Sequence, residues 1–355
     1  MTKAMEVGLV LQGGGALGAY EYGGIVCLLD LIDEAAKNGR NVVLKAVTGV
    51  SIGAINAACL VGAADRADAR ARLSAVWKEL SSGIASRLPP AISSSFSLLE
   101  VPHFYRMRMD LFAWPTWTYV YDTDALIGTL KKHVDFEALN ASQTAFVITA
   151  VDVESGELKP FANCETNGTR RTTIEPRHVL ASGSLAPQFP WTDVADGTEI
   201  RRYWDGGLVD NTPLGYAIDK FSPAPDVDRV LVVMNLFPMK AKLPRSLTEV
   251  NERVDQLRFG NRLRQDTENA DMITELIATI DALCQHVTGE LPPDLVQKVG
   301  AARGYKQVKT FEISLDSDEV ADEEYGFRNF SREGVEARRK AGHALTLAKL
   351  SHVFQ

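Results

Sequence analysis

Cysteine is scarce: Cys27, Cys59, Cys164 and Cys284 are the only four in 355 residues. They are scattered, with no C-x-x-C pair and no histidine at ligand spacing, which excludes a disulfide framework and a cysteine-based metal site. All four are expected to be reduced and buried. Positive charge is also in deficit, with 38 Lys and Arg against 46 Asp and Glu and a formal net charge of −8. That balance excludes nucleic acid as an expected partner and disfavours adsorption to anionic lipid, so any lipid contact must be local and apolar. Long hydrophobic runs are few. Near the N-terminus the apolar run Val7 to Leu11 is too short for a signal sequence, so the expected location is the cytoplasm. Ala46 to Ala64 is free of charge for 19 residues, close to the ~20 that span a bilayer. Gly49, Gly53, Gly62, Thr48, Ser51 and Asn56 interrupt it, and a lipid-facing helix does not account for them. Internal repeats and low-complexity tracts are missing too, which removes repeat architectures.

What is present is organised around Val42 to Ala58. The β-branched, proline-free run Val42 to Thr48 reads as a strand buried on both faces, and it feeds into Gly49-Val50-Ser51-Ile52-Gly53. This is a G-x-S-x-G elbow. A serine at a strained strand-to-helix corner needs neighbours without a Cβ two residues away, and Gly49 and Gly53 meet that need. The small residues Ala54 to Cys59 continue as a helix, which places Ser51 at a helix N-terminus where partial positive charge favours a developing anion. Ser51 is the candidate nucleophile.

Upstream, Val7 to Leu11 reads as a first buried strand ending in Gln12-Gly13-Gly14-Gly15-Ala16-Leu17-Gly18. A helix follows from Tyr20 with Ile25, Leu28, Leu29 and Ile32 at helical spacing, so the chain opens as a βαβα unit with a parallel sheet. Two functions compete for the glycine loop. Gly13, Gly15 and Gly18 fit G-x-G-x-x-G, but dinucleotide binding wants an acidic residue at the end of the second strand, and that strand ends in Thr48-Gly49-Val50-Ser51. The other function is an oxyanion hole, in which backbone N–H groups beside the nucleophile bind a tetrahedral oxyanion.

Further on, Asp65 to Leu80 reads as a covering helix. Phe96 to Tyr121 concentrates aromatics, among them Phe104, Tyr105, Phe112, Trp114, Trp117 and Tyr121, and reads either as core filler or as the wall of an apolar channel over Ser51. Asp122 is expected to cap a helix to His133, and Thr144 to Val151 to form a strand with a hairpin partner through Phe161. A short helix from Pro176 precedes the small-residue loop Ala181 to Pro190, and His178 reads as a packing residue. A serine needs a base within hydrogen-bond reach. Asp205, followed by Gly206 and Gly207 after a strand, is one candidate, and Asp210 is the other. Arg229 to Leu236 reads as a strand, Lys309 to Leu315 as a strand returning to the sheet edge, and the segments around Val250 to Leu257, Met272 to Leu283 and Ser331 to Ser351 as separate helices. Arg338-Arg339-Lys340 reads as a solvated helix face.

With Gly13 to Gly18, Gly49 to Gly53 and Asp205-Gly206-Gly207 in this order, the sequence resembles the patatin-like phospholipase family over roughly residues 5 to 240. Ala181 to Pro190 and Asp210-Asn211-Thr212-Pro213 also look like that family's loops, and Tyr119 to Thr123 with the C-terminal helices look like a bacterial subgroup. The resemblance implies a three-layer α/β/α sandwich with a mainly parallel sheet over residues 1–240, and a mainly helical extension over 241–355 packed on it. It implies acyl-ester hydrolysis by a Ser-Asp dyad, with Ser51 as nucleophile, Asp205 as proton acceptor and Gly13, Gly14, Gly15 and Gly18 as the oxyanion loop. Gly49, Gly53, Gly206 and Gly207 support those motifs. No cofactor and no metal are expected. The expected partner is a lipid or acyl ester, met by peripheral contact with a membrane. Leu17 stands where many members carry Arg or Lys, so no cationic contribution beside the oxyanion loop carries over. An acyltransferase or a hydroxyalkanoate-oligomer hydrolase on the same site, or a non-catalytic nucleotide-binding module, are the alternatives.

Overall fold

The computed structural model describes residues 3–81, 100–166, 170–224, 226–237, 240–241, 243–286, 292–304, 306–315, 326 and 328–355. In chain order the first half runs β1 (Ala4–Leu11), α1 (Gly18–Lys37), β2 (Val42–Gly49), α2 (Ile52–Val61) and α3 (Arg66–Leu80). Then come β3 (Glu100–Val101), β4 (Tyr105–Met107), β5 (Tyr121–Asp122), α4 (Asp124–His133), α5 (Phe136–Ala141), β6 (Ala145–Asp152) and β7 (Leu158–Ala162). The remainder is α6 (Pro176–Ser182), β8 (Thr192–Asp196), β9 (Glu199–Asp205), α7 (Leu214–Asp219), β10 (Val227–Asn235), α8 (Leu247–His286), α9 (Pro293–Gly304), β11 (Lys309–Ser314) and α10 (Arg332–Phe354).

The main sheet has the order β11-β10-β1-β2-β6-β9-β8, with β7 also on β6. From β11 to β6 neighbouring strands are parallel, and β7, β9 and β8 pair antiparallel. Side chains alternate across this sheet as the pleat requires. Val7, Leu9 and Leu11 enter a large core with α1, α2, α3 and α10, while Val10, Ala46, Leu231 and Val233 face Leu214 and Ala217 of α7 and Leu263 of α8. The result is the expected three-layer sandwich. The helical stretch Gly15–Lys37 is apolar and long enough to cross a membrane, and 78% of its most apolar window is buried inside the molecule.

Several sequence expectations are corrected here. Thr123, not Asp122, is the N-cap of α4; the Asp122 carboxylate accepts the Asp124 N–H at 2.9 Å just outside it. Cys27 and Cys59 are buried, but Cys164 and Cys284 are only half-buried. The segments around Val250 and Met272 are one 40-residue helix, α8, about 60 Å long at 1.5 Å per residue, on which Val250, Val254, Leu257, Met272, Leu276 and Leu283 are exposed. Successive helical residues are 100° apart, so Arg338, Arg339 and Lys340 cannot share one face. Arg338 is fully buried, Arg339 pairs with Glu336 at 2.7 Å, and only Lys340 fits the solvated reading.

The chain beyond residue 240 is built into the sandwich. β11 is an edge strand in register with β10 from Lys309 opposite Val230 to Ser314 opposite Asn235. α10 lies across α1 with the two backbones in contact: a Cβ on Gly23 would overlap the Arg339 carbonyl, and one on Gly342 the Tyr20 carbonyl.

Candidate active site

The site forms where three strands end. β6 pairs β2 along one edge as far as Ile148 opposite Gly49, and two residues later Ala150 of the same edge pairs Asp205 of β9. The strand that carries the elbow and the strand that carries the carboxylate therefore meet end to end on one neighbour. β1, on the other side of β2, ends opposite Gly49 at Leu11 and delivers the glycine loop.

Ser51 has φ 55° and ψ −121°, the one non-glycine residue at positive φ among the described residues. Such a conformation costs about 1–3 kcal/mol and survives only where its surroundings impose it. Here they do. A Cβ on Gly49 would lie 2.6 Å from the Gly53 carbonyl oxygen, and one on Gly53 would lie 2.5 Å from that of Leu11, so only glycines let β1, β2 and α2 converge. The Ser51 N–H donates to Ser182 Oγ at 3.0 Å, which fixes the corner from α6.

The glycine loop is held from both ends. Gln12 Nε2 donates to Thr212 Oγ1 at 2.6 Å, and its Oε1 accepts the Leu236 N–H at 2.8 Å. Asn211 grips Gly13 twice: its Oδ1 accepts the Gly13 N–H at 2.9 Å and its Nδ2 donates to the Gly13 carbonyl at 3.1 Å. The Gly13 donor is thus engaged. Gly18 departs further from the expected role. Its N–H turns back to the carbonyls of Ala16 and Gly15, and its missing Cβ makes room for Ile52, so it packs α1 against α2 rather than facing the cavity.

Asp205 is buried at the end of β9. Its Oδ1 accepts the Gly207 N–H at 2.8 Å, and Ser51 lines the same cavity close enough to help stabilise the charged carboxylate. Burial raises its pKa from 3.8 to about 7, against the opposing pull of the Gly207 hydrogen bond and of nearby Ser51. Asp210, the other candidate base, spends its Oδ1 on the Thr212 N–H at 2.9 Å and does not line the cavity. Histidine plays no part in the cavity lining. His178 is buried, accepts the Glu175 N–H on Nδ1 at 3.0 Å, and meets the Phe161 ring edge-on at 4.7 Å, with its pKa lowered by burial. No group of three or more His, Cys, Asp or Glu placed to hold a metal ion occurs among the described residues.

Gly13, Gly14, Gly15, Ser51 and Asp205 line one cavity of about 80 Å³. A sequence profile for the family described as Patatin-like phospholipase matches residues 9–218, which include all three motifs. The chain belongs to the patatin-like phospholipase family. No curated protein matches it. Among solved structures it is similar to VipD from Legionella pneumophila, with 13% identity and a TM-score of 0.42 over 99% of this chain and 67% of that one. The ExoU–SpcU complex from the type III secretion system of Pseudomonas aeruginosa gives 17% identity and 0.32, over 85% and 58%. Human GIVD cytosolic phospholipase A2, solved with methyl gamma-linolenyl fluorophosphonate, gives 12% and 0.42, over 99% and 58%. The chain thus spans 58 to 67% of the length of these structures.

The patatin-like motifs account for the polar floor of the cavity, and its walls are aromatic. Leu185, Gln188 and Phe189 come from the loop 181–190. Phe104, Tyr105 and Tyr121 come from the aromatic segment and all meet the Phe189 ring, with centroids 5.4–6.1 Å away. That segment divides in two: these three build the wall, whereas Phe112 and Trp114 project to solvent. Phe96 lies outside the described residues. The sequence reading missed Asn211, Ser182, Phe237, Phe259, Arg328 and Phe330 as members of the site or its supports. Asn211 lies in the loop Asp210-Asn211-Thr212-Pro213 that resembles the family's, with nothing local to single it out. The last four are drawn from three distant segments with no local pattern to mark them.

Proposed function

We propose that this chain is a serine acyl hydrolase acting on fatty-acyl esters of lipids, of phospholipase A type, with Ser51 and Asp205 as its dyad. Ser51 Oγ attacks the ester carbonyl and passes its proton to the Asp205 carboxylate. The N–H groups of Gly14 and Gly15 hold the resulting oxyanion, while Asn211 fixes Gly13 and so aims them. Collapse of the tetrahedral intermediate breaks the bond to the alcohol, which leaves with the proton from Asp205. Water then attacks the acyl-serine, gives its proton to Asp205, and the acid departs as Ser51 recovers that proton. The aromatic walls receive the acyl chain.

The observation that carries this reading is a buried carboxyl with its pKa near 7, lining one cavity with a serine at a strained elbow and the glycine loop. A base is most effective when its pKa lies near the working pH, and burial has moved this one there. The test is covalent labelling by an alkyl fluorophosphonate, read by intact mass, with turnover of esters of graded chain length. Wild type is expected to label once and to hydrolyse; Ser51→Ala should do neither while remaining folded. Hydrolysis by a folded Ser51→Ala protein would remove Ser51 from the mechanism.

A further inference from the structure

The resemblance leaves this site without a cation beside the glycine loop, where Leu17 stands, yet the cavity has one. Arg328 lines it and is exposed, which places the guanidinium at the rim, and it is the single cation among the described lining residues. It comes from a segment more than 270 residues after Ser51, and a built anchor holds that segment. Buried Arg338 of α10 donates through Nη1 to the Asn329 carbonyl at 2.8 Å and to the Ala16 carbonyl at 3.1 Å, and through Nη2 to the Gly326 carbonyl at 3.3 Å. One guanidinium therefore ties the turn bearing Arg328 to the glycine loop itself. Next to it, Phe330 packs into the wall, with ring centroids 5.7 Å from Phe104 and 6.4 Å from Tyr105 and Trp77. Arg328 is close enough to Tyr105 and Tyr121 for its charge to favour their ionised forms, and Asp255 of α8 feels the same charge.

We infer that Arg328 is a specificity-determining residue that selects esters bearing an anionic oxygen group, phosphate or carboxylate, near the scissile bond. This rests on the acyl-ester reading above. The rest of the rim offers an anion nothing comparable: apart from Arg328, the one charged residue lining the cavity is Asp205, which is buried and of opposite sign. A guanidinium meets phosphate or carboxylate through paired N–H donors, so both chemistries fit it and a neutral head group gains nothing from it.

The test measures binding in a Ser51→Ala background, so that ligands survive and the result does not depend on turnover. Three monomeric ligands with the same acyl chain are titrated by calorimetry: 1-lauroylglycerol, 1-lauroylglycerol 3-phosphate and O-lauroyl lactate. At least one anionic ligand is expected to bind roughly 10-fold tighter than the neutral one. Arg328→Gln should collapse that ratio towards one, whereas Arg332→Gln, an exposed arginine outside the cavity, should leave it intact. Preference for the phosphate ligand alone assigns a phospholipid head group, and preference for the carboxylate alone assigns an acidic oligoester. Equal preference assigns charge recognition without shape. Equal affinity for all three in the Ser51→Ala protein, or an anionic preference that survives Arg328→Gln, would overturn the inference. Fluorophosphonate labelling of wild type, run separately, shows whether the hydrolase reading itself has failed.

Discussion

In the proposed mechanism the Asp205 carboxylate must be ionised to act as base, and it sits where ionisation is costly. With its pKa near 7, kcat/KM should rise with pH through about 7 along a single ionisation, checked on a neutral ester over pH 5 to 9. The same shift has a consequence for folding. The folded-state pKa of about 7 lies above the unfolded 3.8, so the stability linked to this group is full below about pH 4 and is lost as pH rises through 7. At 1.36 kcal/mol per unit the loss approaches ~4 kcal/mol. Asp205→Asn should therefore be nearly inactive yet more resistant to urea than wild type at pH 9, and close to it at pH 5; equal midpoints at both pH values would mean the carboxyl is not held as described. Asn211 gives a second residue-scale prediction. Asn211→Leu strips both bonds from Gly13 and should lower kcat on the order of 10²-fold, the scale of losing one oxyanion donor, with a smaller change in KM. Ser51 and Asp205 were legible because glycines flank them at spacings that backbone crossing demands. Asn211 was not, since one asparagine in a polar loop reads as a turn until the partner 198 residues away is known.

At the scale of elements, the helices and strands of the first half announced themselves through period and punctuation, as in Val42–Gly49 running into Ile52–Val61. Arg338 and the crossing of α10 on α1 did not, because burial of an arginine or of two glycines is decided by a partner more than 300 residues away. The crossing makes a directional prediction. Gly342→Ala drives a Cβ into the Tyr20 carbonyl and can be accommodated only by separating the helices, so it should cost about 1–3 kcal/mol despite alanine's higher helix propensity. Gly128→Ala, in α4 with open space around the new Cβ, should stabilise by ~0.5–1 kcal/mol. Thermal unfolding of the two variants should shift in opposite directions; a stabilised Gly342→Ala protein would mean that α10 does not lie against α1 at this contact.

For the whole molecule, the proposed activity raises the question of how an acidic protein would reach a lipid. Its net charge of −8 repels an anionic surface, so on the proposed reading approach would rely on a small apolar feature. One stands beside the cavity. Between β4 and β5, whose Tyr105 and Tyr121 line the site, the turn Leu111–Thr116 exposes Phe112 completely and Trp114 by 62%, with Met109 just before it exposed by 78%. Its base is braced: the Arg108 guanidinium lies 4.7 Å from the Trp117 ring centroid and 4.6 Å from that of Tyr119, and pairs with Asp110 at 2.6 Å. Aromatic side chains held out from a stiff base suit the interface between water and acyl chains. The double substitution Phe112→Ser with Trp114→Ser should therefore lower hydrolysis of zwitterionic vesicles roughly 10-fold while the rate on a soluble short-chain ester and the unfolding midpoint stay near wild type. Phe104→Ala, a few residues away but buried, should instead cost about 3–5 kcal/mol and depress both rates. Raising the salt concentration should help wild type on anionic vesicles, by screening repulsion, and leave zwitterionic vesicles little changed. If the double variant works on vesicles as fast as wild type, the aromatic turn is not the contact, and lipid must enter the site from another face.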